Sequence, residues 1–142
     1  MSQSQQTFDT NPWTRELGVE LLQAADGKAS ITLALEPRHM NNWEAAHGGV
    51  ILTMLDVVMS LAGRSLDPQA KAGVTVELKT SFMQPAGAPG DVLVGHGKVT
   101  HKSISLCFCE GELWCGERLV AKAMGTFMYM RRMDVARKLE HS

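Results

Sequence analysis

The chain has 142 residues, of which 44% are hydrophobic and 20% are charged, and its formal net charge is -1. A chain of this size forms one domain and can bury roughly 70% of its unfolded surface, so it needs neither disulfides nor a metal to fold. The near-neutral charge gives no electrostatic case for a nucleic-acid or anionic membrane partner. No secretion signal and no membrane-spanning run is recognisable, so we expect a cytoplasmic protein.

Three cysteines lie in the second half of the chain: Cys107, Cys109 and Cys115. An odd number of cysteines without a secretion signal favours free thiols. A zinc site built on them would depart from the usual ligand spacing of roughly two to four residues, and no His lies nearby in the sequence. We therefore predict no metal site and no resident cofactor.

The first half of the chain predicts a short helix followed by a β-hairpin. Pro at the first position of a helix and Gly just after its end are typical boundary signals, and Asp-Gly between two alternating segments is typical of a hairpin turn. Residues 1–10 are polar, and we expect them to be disordered. The predicted elements are a helix from Asn11-Pro12 to Gly18 and strands Val19–Ala25 and Lys28–Leu35, joined by the Asp26-Gly27 turn.

A loop over Pro37–Ala46 leads into the one long helix, predicted over His47–Ser65. Apolar residues cover most of its circumference, which indicates a buried helix. After this helix the pattern switches to period two, which predicts strands, and Gly111 suggests a bulge in one of them. These strands are Val74–Phe82, Asp91–His101, Ile104–Trp114 and Leu119–Met130.

One buried helix beside six strands predicts an α+β fold in which an antiparallel sheet wraps around a central helix. The sequence contains no internal repeat and no domain linker. We therefore expect a single domain over residues 11–131, preceded by the disordered segment 1–10 and followed by a C-terminal tail over 132–142.

The few polar residues of the long helix are regularly spaced. Thr53, Asp56, Ser60 and Arg64 are spaced three, four and four residues apart, so they share one stripe about 80° wide. One interpretation is a narrow solvent-facing edge. The other is that Asp56 lines a cleft, where a carboxylate with apolar neighbours makes a good general base when water can reach it.

The helix begins at His47-Gly48-Gly49. Glycines let the backbone approach a ligand closely, and first-turn N–H groups at the positive end of the helix dipole can hold a developing oxyanion. The alternative is steric, because small residues also let a helix enter a crowded core. Asp56 lies nine residues after His47, which is about 13–14 Å along the axis and on the opposite side. If both ends serve one reaction, a second subunit must supply one of them.

With these residues identified, the sequence resembles the hotdog thioesterases of the PaaI and thioesterase-superfamily-member-2 type. The similarity covers about residues 13–130, and the combination of motifs is fairly specific although each part alone is not. The matching segments are Asn41-x5-His47-Gly48-Gly49-x6-Asp56, Val74-Thr75-Val76-Glu77 and Phe82-Met83-Gln84-Pro85-Ala86.

The resemblance implies a hotdog fold, assembled as a dimer with a shared sheet and often paired into a tetramer, that hydrolyses acyl-CoA to a free acid and CoA. Asp56 would be the general base or the nucleophile. The Gly48 N–H of the other subunit would polarise the thioester carbonyl. His47 and Asn41 would orient the thioester or the attacking water, and Thr75 would help to hold that water.

Two further regions match parts of the family that contact coenzyme A, by region rather than by motif. One is the strand turn Phe82–Gly87, from which we expect Phe82 and Gln84 to contact the substrate, and we expect the same of Gly49 at the helix start. The other is His101-Lys102-Ser103, where a lysine would suit the phosphates of CoA. A solvated strand end is an equally good interpretation of His101 and Lys102.

The chain departs from the family at Glu44, where members usually carry Gly three residues before the His. Together with Trp43, Glu44 either reshapes the mouth of the acyl pocket or sits on the surface. His39 also matches a His of the family, but we assign it no role.

Two other functions compete with hydrolysis. A hotdog hydratase or dehydratase would need a His paired with a carboxylate, and no His follows Asp56 until His96. A non-catalytic acyl-CoA-binding protein would need the pocket but not the carboxylate. The sequence leaves open the acyl group and whether the carrier is CoA or acyl carrier protein.

Overall fold

The structure, a computed structural model, describes Phe8, residues 11–70 and residues 72–131. The segments predicted to be disordered (1–10) and to form a tail (132–142) therefore lie outside the described residues, apart from Phe8, whose side chain is buried in the core. Within the described residues, no helix combines the length and apolar character that crossing a membrane requires.

The predicted short helix is present as α1, over Pro12–Leu17. Asn11 caps it, since its side-chain oxygen accepts a hydrogen bond from the Thr14 N–H at 3.1 Å. Gly18 ends it with a φ of 90°, a left-handed conformation that glycine adopts without steric strain. Both boundary signals read from the sequence are thus confirmed.

Six strands form one antiparallel sheet in the order β1-β2-β4-β5-β6-β3, and a long helix, α2, packs against one face of it. This arrangement confirms the predicted α+β architecture of a sheet around a central helix. A 3-10 turn over Pro37–His39 precedes α2. The elements are β1 (Glu20–Ala25), β2 (Lys28–Ala34), α2 (Gly48–Arg64), β3 (Ala72–Phe82), β4 (Val92–Lys102), β5 (Leu106–Cys115) and β6 (Arg118–Met130).

Two glycines of the sheet let α2 lie unusually close to it. A Cβ atom on Gly97 of β4 would lie 2.5 Å from the carbonyl oxygen of Val58, and one on Gly111 of β5 would lie 3.1 Å from Cγ of Met59. The predicted bulge at Gly111 is wrong, because Gly111 pairs in register with Gly97. Its small size serves helix packing instead.

Gly97→Ala should therefore lower the free energy of unfolding by about 2 kcal/mol, since the added methyl group would clash with helix backbone, which cannot shift as a flexible side chain can. Gly111→Ala is the matched comparison, and it should lose less, because the flexible side chains of Met59 and Leu55 can shift. Urea unfolding of the two variants measures both losses. An equal or smaller loss for Gly97→Ala would show that the helix does not depend on this close approach.

Candidate active site

Asp56 lies in the middle of α2, half-buried, and is paired with Thr75 of β3. The Thr75 hydroxyl donates a hydrogen bond to Oδ1 of Asp56 at 2.6 Å. Residues 19 positions apart in the chain are thus joined by the packing of the helix against the sheet. The roles that the family resemblance implies for this pair, Asp56 as the catalytic carboxylate and Thr75 as a residue that helps to hold the attacking water, stay predictions.

A bulge explains how Thr75 comes to face the helix. The register of β3 against β6 shifts between Thr75 and Glu77, so that Val76 is the extra residue. Such an extra residue allows two side chains three positions apart to point to the same face. Thr75 and Leu78 therefore both face α2, whereas Val76 is 59% exposed.

The polar stripe of α2 runs beneath β3, which is an edge strand of the sheet. A Cβ atom on Gly73 would lie 2.9 Å from Oγ of Ser60 and 3.8 Å from Cδ of Arg64. Burial lowers the pKa of the Arg64 guanidinium from its usual value. The stripe is therefore neither fully solvated nor enclosed: it borders a sheet edge that another chain could cover.

His47 caps α2. Its ring Nδ1 accepts a hydrogen bond from the Gly49 N–H at 2.9 Å, so in the neutral ring the proton is on Nε2. The Gly49 N–H is already bonded in this way, whereas the Gly48 N–H donates to no acceptor in the described part of the chain. Of the two glycines predicted at the site, Gly48 is the one whose N–H is open to a ligand.

Asn41 organises the loop that leads into α2. Its Oδ1 accepts hydrogen bonds from the Trp43 N–H at 2.8 Å and from the Ala45 N–H at 3.2 Å. Because the carbonyl oxygen is engaged in this way, the amide Nδ2 is the group left to bind a ligand. Asn41 thus shapes the loop and also presents a donor.

His39 supports the same loop, a role that the sequence analysis did not assign to it. The ring is buried. Its Nδ1 accepts from the Glu36 N–H at 2.9 Å, and its Nε2 bonds the carbonyl oxygen of Leu17 at 2.8 Å. The backbone oxygen of His39 accepts from the His47 N–H at 2.8 Å. His39 therefore helps to position the helix cap.

Glu44 has a φ of 59°, in the left-handed region that favours glycine. This conformation explains why glycine suits the position in the family, since a side chain here is strained by roughly 1–2 kcal/mol. Trp43 beside it is exposed. Both residues of the Trp43-Glu44 pair are thus on the surface, and whether they reshape the mouth of an acyl pocket stays a prediction.

Glu44→Gly should raise the free energy of unfolding by about 1 kcal/mol, because it relieves the left-handed backbone. The gain is partly offset by the greater freedom of glycine in the unfolded chain. Glu44→Ala, which removes the same side chain but keeps the strain, should give no such gain. Thermal unfolding of both variants decides: if alanine stabilises as much as glycine, the side chain and not the backbone is responsible.

A groove of about 490 Å³ opens beside the N-terminus of α2. The Phe82 ring borders it and lies 3.7 Å from where a Cβ atom on Gly48 would be. Gln84, also at the groove, donates its side-chain N–H to the Leu119 carbonyl at 3.2 Å. The lining is otherwise mostly apolar: Asn41, Trp43, Ala45, Ala46, Gly48, Ile51, Phe82, Met83, Gln84, Pro85 and Ala86. Ile51 was missed from the sequence, although it lies three residues after Gly48 on the helix.

His101, Lys102 and Ser103 lie elsewhere. The Lys102 ammonium is 5.1 Å from the Tyr129 ring centre and donates to the Ser103 carbonyl at 3.3 Å. A row of cross-strand neighbours joins Lys102 to Thr75 over three strand spacings, or about 14 Å. One chain does not bring this segment to the groove or to Asp56, and its role in binding CoA stays a prediction.

The cysteines do not form a metal site in the described residues. Cys107 and Cys109 are buried free thiols, and Cys115 is a free, half-buried one. The hydrogen bond from the Cys109 thiol lowers the pKa of Cys107 to about 7. Across residues 11–70 and 72–131, no group of three His, Cys, Asp or Glu side chains is placed to hold a metal ion.

Comparison with known proteins identifies the family. The model of the family described as the Thioesterase superfamily matches residues 44–122, more than half of the chain. The putative esterase PA0474 of Pseudomonas aeruginosa is 33% identical over 105 residues, which cover 74% of this chain and 78% of that protein. The chain belongs to the Thioesterase superfamily. This membership confirms the hotdog fold and the class of thioester hydrolase that the motif predicted.

Two further known proteins are similar to the chain. Acyl-coenzyme A thioesterase PaaI of Escherichia coli is 24% identical over 95 residues, or 67% of this chain and 65% of PaaI. The structure of a thioesterase protein from Streptococcus pneumoniae, solved with coenzyme A, has a TM-score of 0.72 and 26% identity, and the match covers 79% of this chain and 88% of that one. The predicted PaaI-like type is thereby confirmed.

Proposed function

We propose that this protein hydrolyses the thioester of an acyl-CoA to a free acid and CoA, with Asp56 as the catalytic carboxylate. The observation that carries the proposal is the 2.6 Å hydrogen bond from Thr75 to one oxygen of Asp56. No other hydrogen-bond partner of this carboxylate is found in the described part of the chain, so its second oxygen is available. Such an oxygen can take a proton from water or attack a carbonyl directly. Kinship with PaaI, named an acyl-CoA thioesterase, and with a structure holding coenzyme A supports the substrate.

A second subunit completes the proposed site. Gly48 precedes Asp56 by eight residues, or about 12 Å along the axis of α2, so the two cannot reach one carbonyl carbon from the same chain. The β3 edge, 11 residues long, exposes Val74 and Val76. An unpaired apolar edge of this length is a template for another strand. Pairing of two β3 edges about a twofold axis would make a shared sheet and set Gly48 of the partner subunit beside Asp56.

The proposed reaction balances with the groups at hand. Asp56 takes a proton from water, and the oxygen of that water attacks the thioester carbon. The Gly48 N–H of the partner subunit stabilises the oxyanion, while the open donors of Asn41 and His47, which lie beside Gly48 in that subunit, orient the thioester or the water. The carbon–sulfur bond then breaks, and the proton held by Asp56 goes to the CoA thiolate. If Asp56 instead acts as nucleophile, water hydrolyses an acyl-carboxylate anhydride in a second step. No resident cofactor takes part, since CoA belongs to the substrate.

The alternatives are separable. A hotdog hydratase would need a His near the carboxylate, and in the described residues the hydrogen-bond partner of Asp56 is Thr75. An acyl-CoA-binding protein would hold its ligand without cleaving it. The pairing of two dimers into a tetramer and the cytoplasmic location both stay predictions.

The test is release of free thiol from a panel of aryl-, arylacyl- and medium-chain acyl-CoAs, with acyl-CoA binding measured in parallel. Hydrolysis by the wild type establishes the enzyme. Binding without release would favour the non-catalytic protein. If the protein neither binds nor cleaves any acyl-CoA of the panel, an acyl carrier protein thioester is the remaining candidate substrate.

Thr75→Val should lower kcat by about ten- to a hundredfold, because it removes a charge-assisted hydrogen bond from the catalytic carboxylate while keeping the shape of the side chain. Thr75→Ser keeps the hydroxyl and should stay within a few-fold of the wild type. Steady-state thiol release measures both rates. A valine variant as active as the serine variant would mean that the hydroxyl plays no part.

A further inference from the structure

Trp43 is the most exposed large hydrophobic side chain of the described residues, at 89%. Its position is nevertheless held firmly. The Trp43 N–H is bonded to Oδ1 of Asn41, and the loop is tied to the other side of the groove by the hydrogen bond from the Ala46 N–H to the Ala86 carbonyl at 2.8 Å. A fixed loop thus presents an indole ring that has little packing of its own within the chain.

The groove that Trp43 lines begins at the proposed carbonyl-binding group. The Phe82 ring lies against Gly48 and is itself 53% exposed. If the Gly48 N–H holds the thioester carbonyl, the acyl group begins beside Phe82. It then extends into the groove that Trp43 also lines. Two exposed aromatic residues therefore line the same groove.

The lining of this groove is uncharged. Asn41 and Gln84 supply its polar side chains, and each already makes a hydrogen bond to backbone. A carboxylate at the far end of an acyl group would lose its water without gaining a cation, which is unfavourable. The groove therefore suits a neutral acyl group.

We infer that Trp43 determines acyl selectivity and favours a flat aromatic ring over a saturated ring of the same size; this rests on the proposed thioesterase function. Aromatic pairs gain stability from offset stacking or edge-to-face contact beyond the area they bury. A saturated ring or an alkyl chain in the same groove gains from buried area alone. Trp43 and Phe82, which are both exposed and both line the groove, would supply the aromatic contacts.

The experiment compares kcat/KM for benzoyl-CoA with that for cyclohexanecarbonyl-CoA. In Trp43→Leu the ratio of the two should fall by about two- to tenfold relative to the wild type, whereas Trp43→Phe should keep most of it. Trp13→Leu is the matched control: Trp13 is also exposed, at 57%, but lies on α1 outside the groove. Its ratio should not change. Size-exclusion chromatography of each variant reports the oligomeric state.

A kcat/KM ratio that Trp43→Leu leaves unchanged would overturn the inference. If kcat/KM falls equally for both esters and the oligomer is smaller, Trp43 serves a subunit contact instead. Dissociation constants for the two esters, measured on Asp56→Asn, separate this inference from the proposed function. If the wild type cleaves neither ester, the ratio of the two dissociation constants still decides the role of Trp43, and the wider panel of acyl-CoAs decides the proposed function. If the wild type cleaves both esters and the ratio of their kcat/KM values is the same in Trp43→Leu, only the selectivity inference fails.

Discussion

Asp56→Asn should lower kcat by about a hundred- to ten-thousandfold, the range expected when a general base is lost. Asn has nearly the same shape, and its side-chain oxygen can still accept the hydrogen bond from Thr75, so the packing of α2 under β3 should persist. The change removes the charge and the proton-accepting oxygen but little else. A loss beyond this range would favour the nucleophile over the general base.

Ser60→Ala is the control for this substitution. Ser60 lies on the same stripe of α2, one turn further along, against Gly73. It should stay within a few-fold of the wild type. Thiol release gives the rates, and circular dichroism with urea unfolding verifies that both variants fold. A folded Asp56→Asn enzyme with a rate near the wild type would remove Asp56 from the mechanism.

Gly48→Pro should lower kcat by about a hundred- to a thousandfold, because it removes one donor to the oxyanion. Proline suits the first position of a helix. The preceding residue, His47, has φ -60° and ψ 140°, which is the extended conformation that a following proline requires. The substitution therefore deletes one N–H and spares the helix.

Gly48→Ala keeps the N–H and adds only a methyl group, which would meet Phe82 at an ordinary contact distance of 3.7 Å. Comparison of the two variants separates the hydrogen bond from crowding of the ligand. If alanine is as damaging as proline, space at Gly48 matters more than its N–H. If neither loses activity, the amide does not bind the carbonyl.

Subunit exchange tests whether the site is shared. A dimer of one Asp56→Ala chain and one Gly48→Pro chain has one site with both defects and one with none. Random exchange of equal amounts should thus recover about a quarter of the wild-type activity, since half of the dimers are mixed. No recovery after exchange is verified by mass spectrometry would place both groups in the same chain.

The local elements could be predicted because their signals lie in neighbouring residues. The cap at Asn11, the stop at Gly18 and the apolar surface of α2 depend on contacts within a few positions. Period-two patterns marked five of the six strands, and the Asp26-Gly27 turn marked β1. The motif around Gly48 and Asp56, together with the axial rise of a helix, also sufficed to predict that one chain cannot complete the site.

Only the tertiary structure decided the partners that are distant in sequence. Alternation in β3 left open which side Thr75 faces, and the bulge at Val76 decided it in favour of Asp56. The small size of Gly111 pointed to a bulge, but its cause is the helix packed above it. The groove between the Trp43 loop and Phe82 likewise joins segments that meet only through the sheet order, which local periodicity does not encode, because that order depends on how the whole chain packs its apolar surface.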